Sequence, residues 1–88
     1  MKTSRQLERH FKGAANHWRI DILFVVEKNN NIHVEGIALK LAGNLKTISQ
    51  HVRSLVHAGL LNKKYRGRQV IHTLSPYGKS FLAFIKTF

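Results

Sequence analysis

The stretch "LKTISQHVRSLVHAGLL", from Leu45 to Leu61, obeys one periodicity and then abandons it. Up to His57, Ile48, Val52 and Leu55 fall on one stripe at about 100° per residue, with Leu45 beside them. Asn44 is placed to cap the start of this helix, and Gly59 suits a left-handed position at its end. Beyond Gly59 the helical period is gone. "LNKKYR" and "RQVIHTL" are short, rich in β-branched, aromatic or basic residues, and flank Gly67, which makes a hairpin over 61–74. Then "SPYGKSFLAFIKTF" opens with Ser75 as cap and Pro76 at the first helical position, so a last helix is expected over 76–87. Tyr77, Phe81, Ile85 and Phe88 share a face of it, and Phe84 sits next to that face.

Upstream, Leu7, Phe11 and Ala14 or Ala15 are helically spaced, giving a first helix over 4–15. Asn16 can cap a second over 17–28, with Trp18, Ile22, Val25 and Val26 as its apolar positions and Ile20 and Leu23 on the flanks. Its β-branched "ILFVV" resembles a strand, but the continuous spacing from Trp18 favours helix. "KNNN" ends it, "IHV" suggests a short extended piece, and Ile37, Ala38 and Leu41 mark a short helix over 35–41 that "AGN" breaks. Helix, helix, short helix, tight turn, helix, hairpin, helix is a mainly α arrangement with a small β-hairpin. The third and fourth helices make a helix-turn-helix and the hairpin a wing, all within one small winged-helix domain over residues 1–88.

Charge then speaks to partners. Of 15 Lys or Arg and 4 Asp or Glu, every acid lies in the first 35 residues, and the chain from Gly36 onward holds nine bases and no acid. An acid-free basic half reads as a surface for a polyanion. The face of the fourth helix opposite its apolar stripe carries Lys46, Gln50, Arg53 and His57, flanked by Thr47, Ser49 and Ser54. In a helix-turn-helix this helix enters the major groove, where Arg suits guanine and Gln suits adenine. Ser49 and Thr47 can reach phosphates or bases, and the amides from Asn44 to Thr47 offer a phosphate site. Lys63, Lys64, Arg66 and Arg68 surround the wing tip, where arginine can enter the minor groove and lysine can hold the backbone. Double-stranded DNA is therefore the expected partner. A protein-interaction module and an RNA-binding protein are the alternatives. The first calls for an apolar or mixed recognition face. The second calls for stacking aromatics, and the wing holds only Tyr65.

Other classes find little support. The four acids are scattered, no serine sits in a nucleophile context, and no glycine-rich phosphate loop exists, so no enzyme and no cofactor is expected. There is no cysteine, and no two histidines stand three or four residues apart, so no metal site is expected. His51, at the edge of the buried stripe, suits internal hydrogen bonding as well as DNA contact. No apolar run approaches the roughly 20 residues of a membrane span, and "MKTSRQLERHF" lacks a signal-peptide core, so a cytoplasmic location is expected.

The same residues resemble a known family. "RIDIL" and "GIALKLAGNLKTISQHVRSLVHAGLLNKKYRGRQVIHTL" look like winged-helix repressors of the ArsR type. Ile37, Ala38, Leu41, Ser49, His51, Val52, Leu55, Ala58, Gly59, Leu60, Gly67 and Arg68 match that family's pattern, over roughly Arg19 to Leu74. The closing "LSPYGKSFL" is more like winged helices of the MarR type. The resemblance implies a dimeric, sequence-specific DNA-binding regulator. Metal-sensing members use cysteines before the turn, or His and acid pairs on the last helix. Ser75 to Phe88 has no His and no acid, so metal sensing is not carried over.

An 88-residue core is thin. It cannot absorb Leu7, Phe11, Tyr77, Phe81, Phe84, Ile85 and Phe88 as well as Trp18, Ile22, Val25, Ile48, Val52 and Leu55. Surplus apolar surface on the first and last helices points to a two-fold homodimer, hence to an inverted-repeat operator.

Overall fold

The computed structural model describes residues 1–88. Its elements are α1 (Ser4–Ala14), α2 (His17–Lys28), α3 (Val34–Leu41), α4 (Leu45–His57), β1 (Leu61–Arg66), β2 (Gln69–Leu74) and α5 (Pro76–Ile85). The helix starts are fixed by side-chain caps. Thr3 and Gln6 exchange hydrogen bonds in a capping box ahead of α1. Asn16 Oδ1 accepts from the amides of Trp18 at 2.9 Å and Arg19 at 3.4 Å. Ser75 Oγ accepts from Gly78 N at 2.9 Å, with Pro76 in the first turn as expected.

The "ILFVV" segment is helical because packing outweighs β propensity. Ile22, Leu23 and Val26 are buried, while Val25 is only half-buried. Leu23, expected on a flank, is thus at the centre of the core, since α2 is covered on more than one side. The core joins these residues to Ile37 of α3, to Ile48, Val52 and Leu55 of α4, and to Leu60, Leu61, Leu74 and Leu82. Leu45, expected beside the α4 stripe, is 48% exposed on the first turn of α4.

The turn between α3 and α4 is tight. Ala42 closes α3 in the left-handed region, at φ 52° and ψ 37°, and its N–H bonds back to Ala38 and Leu39 carbonyls. Gly43 lies so near α4 that a Cβ there would meet Ile48 Cγ1 at 2.8 Å. At the far end of α4, Gly59 is left-handed at φ 79°, as its position suggests.

The hairpin is antiparallel, running from Leu61↔Leu74 to Arg66↔Gln69. At its tip only Gly67 is left-handed, which matches a two-residue loop with glycine first. The extended piece expected at "IHV" is reduced to Ile32. This residue bridges His72, with His72 N donating to Ile32 O at 2.9 Å and Asn31 N to His72 O at 3.1 Å. Val34 already begins α3. Only 4% of His72 is exposed, and its ring Nδ1 lies 3.1 Å from Ile32 O. No helix is long and apolar enough to cross a membrane.

Two outcomes follow for stability. Left-handed backbone is costly for alanine and free for glycine, so Ala42→Gly should stabilise the fold by roughly 0.5–1 kcal/mol in chemical denaturation. A destabilised variant would mean that the alanine methyl packs more than it strains. For His72, burial first and then the Lys63 charge lower the ring's affinity for a proton, against the opposing Ile32 hydrogen bond. Unfolded chains therefore take up protons more readily than folded ones just below the ordinary histidine value of about 6.5. Stability should be full above that value and fall as pH drops through the lowered folded value. Urea midpoints at pH 7.5 and 5.0 check this, and His72→Gln should flatten the difference.

Candidate nucleic-acid interface

Burial of Ile48, Val52 and Leu55 turns the opposite face of α4 outward. Lys46, Thr47, Gln50, Arg53 and His57 are exposed there, and Ser49 is half-buried at the margin. Asn44 Oδ1 accepts from the amides of Lys46 at 2.9 Å and Thr47 at 3.2 Å. This corrects the expectation of free amides from Asn44 to Thr47: two of them already have a partner, because the residue type that best starts a helix also consumes its first donors.

The wing cations Lys63, Lys64, Arg66 and Arg68 are all exposed. Strand alternation sends Lys63 and Tyr65 to one side and Lys64 and Arg66 to the other. Lys63 Nζ lies 5.8 Å from the Tyr65 ring centre. Lys63 also shares a shallow groove with Val52, Arg53, Val56 and His57, so wing and helix meet through this residue. Arg68 sits elsewhere, beside the start of α3 with His33, Glu35 and Gly36. The ion pairs present are Lys12–Glu8 and Lys86–Glu27. No cation of α4 or the wing is neutralised by a carboxylate.

His51 hydrogen-bonds within the fold. Its Nδ1 accepts from Arg19 Nε at 3.1 Å, so the ring is neutral with its proton on Nε2. Burial, the Arg19 charge and the His17 charge all lower its pKa. Sequence reasoning missed the cations on the other flank of α4. Arg9, Lys12 and Arg19, together with Gln50, Arg53 and His57, surround a cleft between the end of α1 and the outward face of α4. Helix α1 comes this near because Gly13 lies directly against Ala58. The spacing of Arg9 and Lys12 puts them on one helical face and was a usable signal, masked by the apolar side of α1.

The first and last helices keep much apolar surface. Leu7, Phe11, Tyr77, Phe84 and Phe88 are exposed, with Phe88 at 93%, whereas Phe81 and Ile85 pack partly on the core. Phe11 and Phe81 meet edge to face at 6.1 Å between centroids, linking α1 to α5.

No protein-family model and no curated protein sequence matches the chain. Solved structures do. HlyU from Vibrio cholerae N16961 superposes with TM-score 0.83 at 27% identity, over 96% of this chain and 91% of that one. The homodimeric winged helix-turn-helix DNA-binding domain of Mb0332 from Mycobacterium bovis, a possible ArsR-family transcriptional regulator, superposes with TM-score 0.82 at 25% identity, over 98% and 85%. The transcriptional regulator HlyU from Vibrio vulnificus CMCP6 gives TM-score 0.78 at 25% identity, over 96% and 88%. The chain has the winged helix-turn-helix fold. Its structural neighbours are transcriptional regulators of the HlyU and ArsR-family kind, in line with the resemblance of residues 19–74. In this winged helix, "LSPYGKSFL" spans the end of β2 and most of α5.

Proposed function

We propose that the protein is a sequence-specific, duplex-DNA-binding transcriptional regulator. The observation that carries the reading is the outward face of α4, where Lys46, Gln50, Arg53 and His57 stand exposed with no carboxylate beside them, on a fold shared with transcriptional regulators. Helix α4 reads the major groove, with Gln50 and Arg53 as base-reading donors and Lys46, Thr47 and Ser49 near its rim. Lys63 and Lys64 hold the backbone, and Arg66 and Arg68 reach toward the minor groove. Asn44 contributes through its free amide nitrogen, since its oxygen is occupied as the cap.

Affinity for duplex should fall steeply with salt, as released counterions require. Binding measured by fluorescence anisotropy on a duplex selected from random sequence checks this, and affinity unchanged between low and moderate salt would exclude the reading. On the same duplex, Arg53→Ala should cost on the order of 1–3 kcal/mol and blur preference at one position. Lys63→Ala should weaken all sequences alike. Equal, sequence-independent losses from both would reduce Arg53 to a phosphate contact.

The active form we infer is a homodimer through α1 and α5, using Leu7, Phe11, Tyr77, Phe81, Phe84, Ile85 and Phe88. The exposed aromatic surface there supports it, and Mb0332 is itself a homodimeric winged helix. Two-fold symmetry spaces two copies of α4 about one DNA turn apart, so the operator is an inverted repeat. Light scattering at micromolar concentration should give twice the chain mass, and Phe84→Ser with Phe88→Ser should give monomers that bind the repeat poorly. A wild-type monomer, or a double variant with undiminished binding, would remove the dimer from the account.

A further inference from the structure

Arg19 lies where three elements meet. Its Nε donates to His51 Nδ1 at 3.1 Å, and its Nη1 donates to the carbonyl oxygens of Gly13 at 3.2 Å and Lys12 at 3.4 Å, at the end of α1. Neither ion pair of the protein involves it, and Nη2 donates to no protein atom. A guanidinium gripped on two edges points its remaining N–H groups in a fixed direction, and that geometry suits a phosphate.

Those groups belong to the cleft beside α4. Arg9, Lys12, Arg53 and His57 join Arg19 in its lining, no carboxylate does, and Ala58 is its single apolar side chain. Glu8, the acid closest along α1, is held by Lys12 at 2.9 Å and stays outside the lining. Small-molecule sites are mostly apolar and enclose their ligand. This cleft is lined almost wholly by charged and polar residues and opens widely to solvent, at about 660 Å³, so it fits a passing strand better than an enclosed molecule.

Its position relative to the reading helix is also defined. At about 100° per residue, Gln50, Ser54 and Ala58 lie on one flank of α4 and Val52 and Val56 on the other, with Arg53 and His57 between. The first flank borders the cleft and the second borders Lys63 of the wing. Any groove that takes in Arg53 thus has cations on both walls.

We propose that the cleft seats a backbone phosphate of the DNA strand on the side of α4 away from the wing, with Arg19 as the fixed anchor and Arg9 and Lys12 as flexible neighbours. This rests on the DNA-binding reading above. The two walls of the major groove are then gripped independently, one by the wing and one by the corner between α1 and α2.

Arg9 and Lys12 are exposed, so the double variant Arg9→Gln with Lys12→Gln leaves the core untouched. Its thermal melting should match wild type. Duplex affinity should fall about tenfold at moderate salt, the log–log salt slope should flatten by about one for each phosphate no longer neutralised, and the ranking of sequences should not change. Lys28→Gln, exposed at the far end of α2, serves as the charge control and should move neither quantity. Wild-type slope and affinity in the double variant would overturn the phosphate seat while leaving DNA binding by α4 intact. Wild-type protein without salt-dependent duplex binding would instead bring down the functional reading and the seat together. A third arm titrates the DNA-free protein with inorganic tripolyphosphate and follows the Gly13 amide and Arg19 Nε by NMR. Shifts there, combined with a double variant silent toward DNA, would assign the cleft to a free phosphorylated ligand and overturn the proposal.

Discussion

The rotation of α4 about its own axis governs the rest of the molecule. Three of its side chains, Ile48, Val52 and Leu55, are nearly or completely removed from water. Each such burial is worth roughly 1.5–3 kcal/mol relative to exposure. Turning the helix by a single residue would move all three off the core and bring polar groups in, so one rotation is strongly preferred. With that rotation set, Gln50, Arg53 and His57 have no freedom to face elsewhere. The tight Ala42–Gly43 turn then fixes where the helix begins, and Gly13 against Ala58 fixes what lies beside its end.

Electrostatics works against the isolated chain. A net charge of +11 on 88 residues is self-repelling, and the two ion pairs touch neither α4 nor the wing. Folding gathers Arg9, Lys12, Arg19 and Arg53 around one cleft and supplies a counter-charge only to Lys12, from Glu8. Salt ions moderate this in the free protein over a Debye length of about 8–10 Å. A polyanion relieves it far more, because its charges are fixed along a line and need not be gathered from solution. The cationic face thus costs fold stability and favours binding for the same physical reason.

Much of the fold was legible in the sequence because its signals are local. Caps at Asn16, Asn44 and Ser75, breakers at Asn29–Asn31 and Gly59, and the change of period after Leu60 each depend on a few neighbouring residues, and α4 begins and ends where the pattern says. What escaped depends on distant partners. Arg19 meets His51 across 32 positions, and Ile32 bridges His72 across 40. No spacing rule reveals such pairs. Leu23 and Leu45 were misplaced for a related reason: periodicity ranks faces of a helix but does not say how many neighbours cover each face. In the candidate interface, the α4 and wing cations were readable as an acid-free pattern. The α1 side was readable only in part: Arg9 and Lys12 share a helical face, but their place beside α4 emerges only when Gly13 lets two helices touch.

One hydroxyl joins the end of α4 to the start of α5. Ser75 Oγ donates to Gly59 O at 2.6 Å and accepts from Gly78 N at 2.9 Å, while Ser75 N donates to Leu60 O at 3.2 Å. Helix α4 and helix α5 are therefore geared together through a buried serine, with little slack between them. In the proposed pair, the gap between the two reading helices becomes a property of this joint as much as of the aromatic seam. In that pair, a tilt of α5 would change the pitch between the two copies of α4. The fold couples the end of α4 to the start of α5 through a single side chain.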